Sequence, residues 1–436
     1  MNIPEVELPR VVVIGSGFAG LRFCKKINGT KYQVVLLDKN NYHTFQPLLY
    51  QVASSGLEPD SIVYPIRKIF KGKKNFYFRM AETTEIDTEN QTIHTSIGSL
   101  TYDKLVLATG ATSNFFGMQN IEKYAMPMKS LSEALDLRSL IIQNFEEALN
   151  TNDLKERERL MNFVIVGAGA TGVEVAGALA ELKAQVLPQD YPDLDIRRMQ
   201  IHILEAGPKV LGNMSAHASR KSEKYLKDRD INIWLNTMVK DYDGKTVTCN
   251  SQNFETNTLV WAAGISGQSP KGLNVEKSRA QRLITNEFNQ VKGLDNVYAI
   301  GDIAQIDAEA TPNGHPMLAS VAEQQGGFLG QNFNRLVQGK ELKPFVYNDK
   351  GTMATIGRNK AVVDLSFIKF GGFIGWLTWM FVHLMLLVDF RSRLVVFINW
   401  AWSYVFYDKG TRIIMRKVGR PETEDRRPKS GDRSPE

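Results

Sequence analysis

The stretch RVVVIGSGFAGLRFCKKI, residues 10–27, decides the fold of this chain. Four consecutive apolar residues, 11–14, predict a buried parallel strand that ends at Gly15. Gly15, Gly17 and Gly20 then follow in the spacing G-x-G-x-x-G, at the start of a helix-like segment. In this spacing the first glycine permits a tight turn, the second lets a pyrophosphate approach the backbone, and the third lets the helix pack on the strand.

The next segment, YQVVLLDKN at residues 32–40, strengthens this interpretation. It predicts a second buried strand that ends at Asp38, near the offset of about 20 residues expected for the acid that binds a ribose. A glycine pattern alone also occurs in ordinary strand–helix turns. The order strand, glycines, helix, strand and acid instead predicts a dinucleotide-binding site.

The same pattern recurs in NFVIVGAGATGVEVAGALAEL, residues 162–182. Gly167, Gly169 and Gly172 follow a strand predicted at residues 163–166, and a later strand ends at Glu205. The intervening LPQDYPDLDIRRMQ predicts an insertion in the crossover. A carboxylate at that strand end binds a 2′-OH and repels a 2′-phosphate, so Glu205 favours NAD(H) over NADP(H). Two such sites imply two dinucleotides, and the economical chemistry is hydride transfer from a nicotinamide to a flavin.

Composition excludes several other functions. A chain of 436 residues predicts two or three domains. The net charge of +6 is mildly basic, but no dense Lys/Arg run is interleaved with aromatic residues, so no nucleic-acid partner is expected. The two cysteines, Cys24 and Cys249, lie in no Cys/His cluster, which argues against a disulfide scaffold and predicts no metal site. The N-terminus has no secretory pattern.

Three further segments resemble the flavoproteins that carry two dinucleotide-binding domains. LVLATGA (residues 105–111) and LVWAAGI (residues 259–265) are similar to the turns by which each nucleotide-binding domain rejoins the other. VYAIGDIA (residues 297–304) resembles the Gly-Asp motif whose aspartate, here Asp302, binds the ribityl chain of FAD. The resemblance implies FAD at the first glycine cluster and NADH at the second.

Within that superfamily the chain resembles the type II NADH:quinone oxidoreductases, the single-subunit NADH dehydrogenases that pump no protons. Residues 41–68 contain no cysteine, where the thiol-dependent relatives carry one or more, which excludes thiol chemistry there. The motifs HTFQPLLYQVASSGLEP, GAGATGVEVAG and KGTMATIGRNKAVVDL carry the likeness, which covers roughly residues 8–418. It implies an α/β fold of two Rossmann-like domains, a discontinuous FAD domain and an inserted NADH domain, with a C-terminal helical membrane-anchoring region.

The resemblance also implies site residues. Those expected to bind FAD are Gly15, Ser16, Gly17, Phe18, Ala19, Gly20, Asp38, Lys39, Ala108, Thr109, Gly110 and Asp302. Those expected to bind NADH are Gly167, Gly169, Ala170, Thr171, Gly172, Glu174, Glu205, Ala263 and Gly264. Those expected at the quinone site are Gln46, Pro47, Ala319, Ser320, Glu323 and Gln324, with Ser320 in place of the usual glutamine.

Two residues are expected to act in catalysis. The resemblance puts Glu174 near the nicotinamide and flavin, where it assists the charge-transfer complex or handles protons. The alternative is a carboxylate stabilised by a helix N-terminus. Lys350 is expected near the flavin, where a positive charge favours the reduced form. The alternative is an exposed lysine in the turn NDKG.

These features predict an NADH:quinone oxidoreductase that feeds a respiratory chain, with a membrane quinone and membrane lipid as partners. The expected location is the cytoplasmic face of the cell membrane, with a homodimer as a possible assembly. An NADH oxidase, a ferredoxin-type reductase and an NADH-sensing flavoprotein are the alternatives. The lack of cysteine in residues 41–68 and the apolar C-terminal stretch argue against the first two.

The predicted domains are residues 1–115 and 290–365 for FAD, and 116–289 for NADH. Residues 366–418 are predicted to anchor the protein to the membrane, and residues 419–436, rich in charge and proline, to be disordered. A helix is predicted at residues 130–150, with Ser130 and Glu133 forming a capping box.

The C-terminal stretch FGGFIGWLTWMFVHLMLLV, residues 370–388, contains no charged side chain. As one helix its 19 residues would be about 28 Å long, just enough to span a bilayer. A stripe of small or polar residues is expected to face the protein and the aromatic residues to face lipid. The stripe comprises Gly371, Gly375, Thr378, Asp389 and Arg393, and the residues outside it include Trp376, Trp379, Phe381 and Leu384.

The residues that follow favour a segment lying on the membrane over one that spans it. Four cations flank Ile413 and Ile414 in an interfacial pattern, and are expected to face anionic headgroups. They are Lys409, Arg412, Arg416 and Lys417.

Overall fold

Two five-stranded parallel sheets form the body of the protein, which a computed structural model describes over residues 1–308, 311–406 and 410–419. The helices are α1 (Phe18–Lys26), α2 (Leu49–Ala53), α3 (Ile66–Ile69), α4 (Gln119–Tyr124), α5 (Leu131–Asn150), α6 (Leu154–Met161), α7 (Ala170–Glu181), α8 (Leu187–Asp190), α9 (Ala216–Lys227), α10 (Ala319–Leu336), α11 (Phe373–Leu386) and α12 (Phe390–Phe406). The strands are β1 (Arg10–Ile14), β2 (Gln33–Asp38), β3 (Tyr42–Thr44), β4 (Val63–Pro65), β5 (Phe76–Met80), β6 (Thr83–Asp87), β7 (Thr92–Thr95), β8 (Gly98–Thr101), β9 (Lys104–Leu107), β10 (Ala111–Ser113), β11 (Met126–Pro127), β12 (Phe163–Val166), β13 (Ile201–Leu204), β14 (Asn232–Trp234), β15 (Val239–Tyr242), β16 (Thr246–Cys249), β17 (Asn253–Glu255), β18 (Thr258–Trp261), β19 (Ile265–Gly267), β20 (Leu283–Thr285), β21 (Val297–Ala299), β22 (Ala304–Ile306), β23 (Thr352–Thr355), β24 (Ala361–Asp364) and β25 (Lys369–Gly372).

The two sheets repeat one topology. The first has the order β21-β9-β1-β2-β5 and the second the order β11-β18-β12-β13-β14. In each, the strand that precedes the glycine pattern lies at the centre, and its residues are buried. Continuous apolar strands are expected where helices cover both faces of a parallel sheet. The predicted fold class, an α/β protein with two Rossmann-like domains, is confirmed.

Helices α1 and α10 pack together more closely than side chains would allow. A Cβ atom at Gly326 would lie 2.1 Å from the carbonyl oxygen of Ala19, and one at Gly330 would lie 2.8 Å from Cβ of Lys26. This contact fixes α10, whose Gln325 side chain accepts a hydrogen bond from Gly301 N–H at 2.6 Å, against the first sheet. Helix α1, which begins within the first glycine pattern, therefore holds α10 in place. Through Gln325, α10 in turn positions the turn that carries Asp302.

The segment predicted as an insertion before β13, residues 187–200, begins by continuing the helical backbone of α7. The helical backbone continues from α7 through a π-helical turn, Leu182–Val186, into α8. Pro188 stands near the start of α8, where its missing N–H is tolerated. The predicted helix at residues 130–150 is confirmed as α5, with the Ser130–Glu133 capping box in place.

The domains meet at a short ribbon. β10 follows β9 of the first sheet, β19 follows β18 of the second, and the two pair antiparallel from Ala111↔Gly267 to Ser113↔Ile265. β20 then pairs with β22 beside the first sheet, and β23, β24 and β25 form a separate sheet. We therefore propose that the second domain ends after β19, and not at residue 289, and that the C-terminal region begins with β23, and not at residue 366.

Residues 370–388 contain the end of strand β25 and one helix, α11, so the prediction of one helix over the whole stretch is wrong at both ends; a second helix, α12, begins at Phe390. Gly372, at φ 82°, separates β25 from α11, and the Asp389 carboxylate accepts the N–H of Ser392 at 2.9 Å, capping a new helix. The 14 residues of α11 are about 21 Å long, against roughly 30 Å for a hydrocarbon core. None of the helices in the described ranges is long and apolar enough to cross a membrane.

The outward and inward faces of α11 also differ from the prediction. Gly375 is buried as expected, and a Cβ there would lie 3.0 Å from the Ala361 carbonyl oxygen. Trp379 is buried with it, although the prediction put this residue toward lipid. Trp379 stands four residues after Gly375 in α11, so the two lie on the same face of the helix and are buried together.

Two of the cations expected to face lipid instead pair with carboxylates of the protein. Arg412 contacts Asp190 at 2.6 Å, and Arg416 binds Asp136 through two N–H groups at 2.6 and 2.5 Å. Val418 N–H donates to Gln143 at 3.2 Å. We call residues 410–419 the strap. Lys409 and the predicted disordered tail, from residue 420 onward, lie outside the described residues.

The tight approach of α10 to α1 predicts a large effect of one methyl group. Gly326→Ala should lower the free energy of unfolding by about 1–3 kcal/mol, because the new Cβ overlaps backbone of α1. The matched control is Gly327→Ala, whose Cβ would meet only the Arg22 side chain, at 3.4 Å. That control should be neutral or stabilising by up to about 1 kcal/mol. Urea unfolding measures both, and equal stabilities would contradict the packing argument.

Candidate functional site

The first glycine cluster, Gly15, Gly17 and Gly20, forms what we call the first cradle. Gly15 has φ +102°, and a Cβ at Gly20 would lie 1.9 Å from the Gly15 carbonyl oxygen, so glycine is required at both positions. At the end of β2, Asp38 accepts hydrogen bonds from Ser16 N–H and Ser16 Oγ–H, each at 2.7 Å. Asn40 N–H donates to its other oxygen at 2.7 Å. The carboxylate is thus fixed beside the turn.

The second glycine cluster, Gly167, Gly169 and Gly172, forms the second cradle with the same geometry. Gly167 has φ +100°, and a Cβ at Gly172 would lie 1.9 Å from the Gly167 carbonyl oxygen. Glu205 accepts hydrogen bonds from the N–H groups of Ala168 and Gly207, both at 2.7 Å. Glu205 therefore occupies in this domain the place of Asp38 in the first.

Both cradles have room for a phosphate. A Cβ at Gly17 or at Gly169 would meet no heavy atom within 4 Å, whereas the outer glycines of each pattern are closely packed. Each middle glycine is the N-cap of a helix, and no side chain caps that helix end. Free N–H groups and the helix dipole at such a position bind anions, so both clusters fit a dinucleotide pyrophosphate.

The ribbon of β10 and β19 brings the two cradles to a common region, since it follows the carboxyl ends of β9 and β18, the neighbours of the central strands β1 and β12. Ligands of open α/β sheets bind at those ends. Asp302 lies in the turn after β21, and burial raises the pKa of its carboxyl, while Lys129 and Arg282 oppose the shift. Gln325, which positions that turn, was missed by the sequence reading because nothing local marks it.

Glu174 is the buried acid of the region. It is 8% exposed, on α7, and Thr355 N–H of β23 donates to it at 3.5 Å. Burial raises the pKa of Glu174 from its ordinary 4.5 to about 8, and the nearby Thr355 N–H and Trp379 indole reduce the shift. A carboxyl with this pKa holds a proton at neutral pH and can release it with little free-energy change.

A cavity of about 250 Å³ adjoins Glu174 through Thr355 and Trp379. The cavity is lined by α2 and the residues that follow it, the end of α7 with the π-helical turn, the β23–β24 turn, and the inner faces of α11 and α12. Its aromatic walls are Tyr50, Trp376, Trp379, Trp400 and Tyr404. The sequence reading missed these residues, because an aromatic residue in an apolar stretch gives no signal of which way it faces.

Lys350 and Glu174, the two predicted catalytic residues, do not line one cavity. Lys350 is exposed and lines a separate open cavity of about 300 Å³ with Glu323, Gln324 and Arg22. Burial raises the pKa of Glu323, and the Arg22, Lys350 and Lys25 cations oppose the shift. The exposure of Lys350 agrees with the alternative interpretation, an exposed lysine in the turn NDKG.

The predicted quinone-site residues are also divided. The Gln324 amide is engaged at both ends by the backbone of Asn348, at 2.9 and 3.0 Å, and Ser320 Oγ bonds Tyr347 OH at 3.0 Å. Gln46 is exposed, and its amide N–H donates to the Lys129 carbonyl at 3.4 Å. Pro47 lies beside it in a 3₁₀ turn, and Ala319 begins α10. The side chains of Ser320 and Gln324 thus stabilise residues 347–348.

The remaining predicted residues lie around the two cradles. Phe18 begins α1 and packs edge-to-face on His43 at 5.2 Å. Around the first cradle, Ala19 is buried in α1, Lys39 is exposed, the Ala108 carbonyl faces Gly15, Thr109 bonds the Gln268 carbonyl, and Gly110 has φ +73°. Around the second, Ala170 and Thr171 are exposed at the start of α7, Ala263 is partly buried, and Gly264 has φ +75°.

Both cysteines are buried, and burial raises the pKa of Cys24 to about 12 and that of Cys249 to about 11. Thiols with such values are poor nucleophiles at neutral pH. Within the described ranges, no group of three or more His, Cys, Asp or Glu side chains is arranged to hold a metal ion.

Comparisons with known proteins agree with this geometry. The pyridine nucleotide-disulphide oxidoreductase family matches residues 9–326, and the NDH2 C-terminal domain matches residues 350–407. The type II NADH:quinone oxidoreductase NdhA of Mycobacterium tuberculosis is 35% identical, over 94% of this chain and 90% of its own length. The enzyme Ndh of the same organism is 32% identical, over 93% and 91%. The structure of NDH2 from Plasmodium falciparum in complex with NADH shares the fold, with a TM-score of 0.85, 24% identity and coverage of 91% and 98%.

The raised pKa of Glu174 predicts a pH-dependent stability. The unfolded chain releases this proton near pH 4.5 and the folded chain near pH 8, so between these values the folded state binds more protons. The contribution of Glu174 to the free energy of unfolding is largest below about pH 4.5. It falls by up to about 1.4 kcal/mol per pH unit as the pH rises toward 8. Glu174→Gln should remove that decline.

Urea unfolding of both proteins between about pH 5 and pH 8 measures the difference. Glu223→Gln, which changes a carboxylate paired with Lys227 on the surface of α9, is the matched control and should keep the decline. Parallel pH profiles for Glu174→Gln and the unaltered protein would contradict the assignment.

Proposed function

Because this chain belongs to the type II NADH:quinone oxidoreductases, we propose that it transfers a hydride from NADH to a bound FAD and reduces a membrane quinone without pumping protons. The reaction regenerates NAD⁺ and supplies reduced quinone to a respiratory chain. The observation that carries the proposal is the pair of matching cradles joined by the β10–β19 ribbon, with buried Glu174 on the helix of the second.

FAD at the first cradle is supported by the chemistry of its residues. Asp38 still has lone pairs for a ribose hydroxyl after binding Ser16 and Asn40, and Asp302 lies at the end of β21, the neighbour of β9 in the same sheet. When bound, FAD accepts a hydride from NADH and passes two electrons to a quinone. The residues proposed to hold it are those predicted from the sequence around Gly15, Asp38, Gly110 and Asp302.

NADH at the second cradle is supported by Glu205. Two backbone N–H groups fix its carboxylate at the end of β13, where an acid of this fingerprint binds the adenosine ribose. The carboxylate would accept a hydrogen bond from the 2′-OH and would repel a 2′-phosphate. The exposed start of α7, at Ala170 and Thr171, leaves the cradle open to a nucleotide that must enter and leave in each turnover.

We propose that Glu174 holds and moves a proton in this reaction. Reduction of a quinone by NADH needs one proton besides the hydride, because NADH, H⁺ and quinone give NAD⁺ and quinol. A carboxyl with a pKa of about 8 is a suitable acid near neutral pH, and no water-exposed carboxylate would have that property. Lys350, which lies with Glu323 in another cavity, is not required for this role.

Membrane association is proposed to occur through α11 and α12. Their outward residues form an apolar surface, which comprises Phe373, Ile374, Leu377, Phe381, Met385, Leu386, Phe390, Leu394, Phe397, Ile398, Trp402, Val405 and Phe406. The strap pairs with carboxylates of α5 and α8, so residues 410–419 lie against the protein body that carries the cradles. This geometry supports a protein that lies on the membrane, and we propose its cytoplasmic face; the homodimer stays a prediction.

Family membership favours this function over an NADH oxidase or an NADH sensor. The purified holoenzyme should contain FAD and oxidise NADH with a soluble ubiquinone or menaquinone analogue, and should use NADPH poorly. Glu205→Ala should lower the preference for NADH over NADPH by about tenfold or more, because the repulsive carboxylate is lost. Steady-state kinetics measures this ratio, with Glu223→Ala on the surface as control. An FAD-loaded enzyme that fails to oxidise NADH with either analogue would contradict the proposal.

The apolar surface predicts the effect of one charge on membrane binding. Met385→Asp should weaken binding to phospholipid vesicles by about tenfold or more, since an apolar side chain that would enter the lipid becomes a carboxylate. Met238→Asp is the matched control, because Met238 is 58% exposed in the second domain and Met385 is 42% exposed on α11. Vesicle flotation measures both proteins. Equal loss in the two variants, or no loss in either, would count against this surface.

A further inference from the structure

Trp379 is buried in a helix that is otherwise largely exposed. It is 1% exposed, while Phe381, two residues later, is 63% exposed. The approach of Gly375 to the backbone of β24 draws α11 inward at this point. The indole stacks on His383, with ring centroids 4.1 Å apart, and meets Tyr50 and Trp400 at 6.3 and 5.8 Å. These contacts leave the ring little freedom to rotate.

The indole N–H of Trp379 has no hydrogen-bond partner of normal geometry among the described residues, although it is fully buried. A buried donor without a partner is unfavourable, and such a group in a native structure calls for an explanation. The acid whose charged form this indole would stabilise is Glu174, since hydrogen bonding to Trp379 lowers the pKa of that carboxyl against the effect of burial. The other donor to Glu174, Thr355 N–H, is long at 3.5 Å, so the carboxyl also lacks a strong partner.

The other titratable groups near Glu174 offer it no positive charge. Tyr50 faces it from α2, and burial, together with the charges of Glu174 and Glu181, raises the pKa of Tyr50 well above its usual value. His383 lies behind the indole, its Nδ1 bonded to the Trp379 carbonyl at 2.8 Å, and burial lowers the pKa of His383 to about 4. His383 is therefore neutral near pH 7. Within the described chain, the two N–H donors are the groups that favour ionised Glu174.

We propose that Trp379 is a positioning residue for Glu174: the ring stays in place, and the carboxylate accepts a hydrogen bond from its indole N–H when Glu174 releases its proton. The proposal rests on the proposed function, in which that proton is used in quinone reduction. It also links the membrane-facing helix α11 to the proton on α7, because a displacement of α11 would withdraw the donor.

The test is the titration of the Glu174 carboxyl in the purified holoenzyme, followed by the infrared band of the protonated acid and assigned by its loss in Glu174→Gln. Trp379→Phe keeps an aromatic ring at this position but removes the N–H donor. The midpoint should move up by about one pH unit, because one hydrogen bond to the charged form is lost. Trp376→Phe is the matched control. It lies on the same helix and stacks on Tyr404 at 5.5 Å, so its midpoint should stay unchanged.

A second measurement uses the unaltered holoenzyme and covers the case in which Trp379→Phe fails to fold. The resonance Raman signal of an indole N–H should change with the midpoint of Glu174 and should lose that change in Glu174→Gln. An unchanged midpoint in folded Trp379→Phe, or an indole signal that ignores the titration, would overturn the proposal. Failure of the proposed function is distinguishable, since it would appear as absent quinone reduction while both titrations behave as expected.

Discussion

A Cβ atom at Gly20 would lie 1.9 Å from the carbonyl oxygen of Gly15, and one at Gly172 would lie 1.9 Å from that of Gly167. No side chain can enter so small a space, so in each domain the first helix approaches the end of the central strand directly through backbone. That approach aims the helix N-terminus at the open space over Gly17 or Gly169. The two cradles and the position of Glu174, on the helix of the second, depend on this one contact, made twice.

Glu174 shows how the parts of the chain combine at one atom. α7 carries the carboxyl, β23 brings the Thr355 N–H, and α11 brings the Trp379 indole. Each of these elements comes from a different part of the sequence, and together they exclude water. Exclusion of water raises the pKa of Glu174 to about 8, which suits the acid to the proton transfer proposed for it and makes its ionisation unfavourable. The same burial that prepares the site therefore reduces stability as the pH rises.

The C-terminal region balances an apolar surface against charged contacts. α11 and α12 expose many large apolar residues, more than a monomeric soluble protein normally shows in one patch. The strap beyond them is held to the body by Arg412–Asp190 and Arg416–Asp136. Exposed ion pairs of this kind contribute little stability individually, but they fix the direction in which the chain leaves α12. The direction in which the chain leaves the helices, more than the stability that the ion pairs contribute, distinguishes a helix pair that lies on a membrane from one that crosses it.

The sequence by itself determined both cradles, their strands, the acids Asp38 and Glu205, and the capped helix α5. These features follow from spacing within about 40 residues, and local backbone geometry enforces them. Only the tertiary structure decided that Trp379 turns inward, that Lys350 lies with Glu323, and that Arg412 and Arg416 pair with body carboxylates. Each of those outcomes depends on elements that lie far apart in sequence, where side-chain direction and charge pairing leave no periodic trace. Burial of Glu174 belongs with them, because a pKa is set by everything that surrounds a group in space.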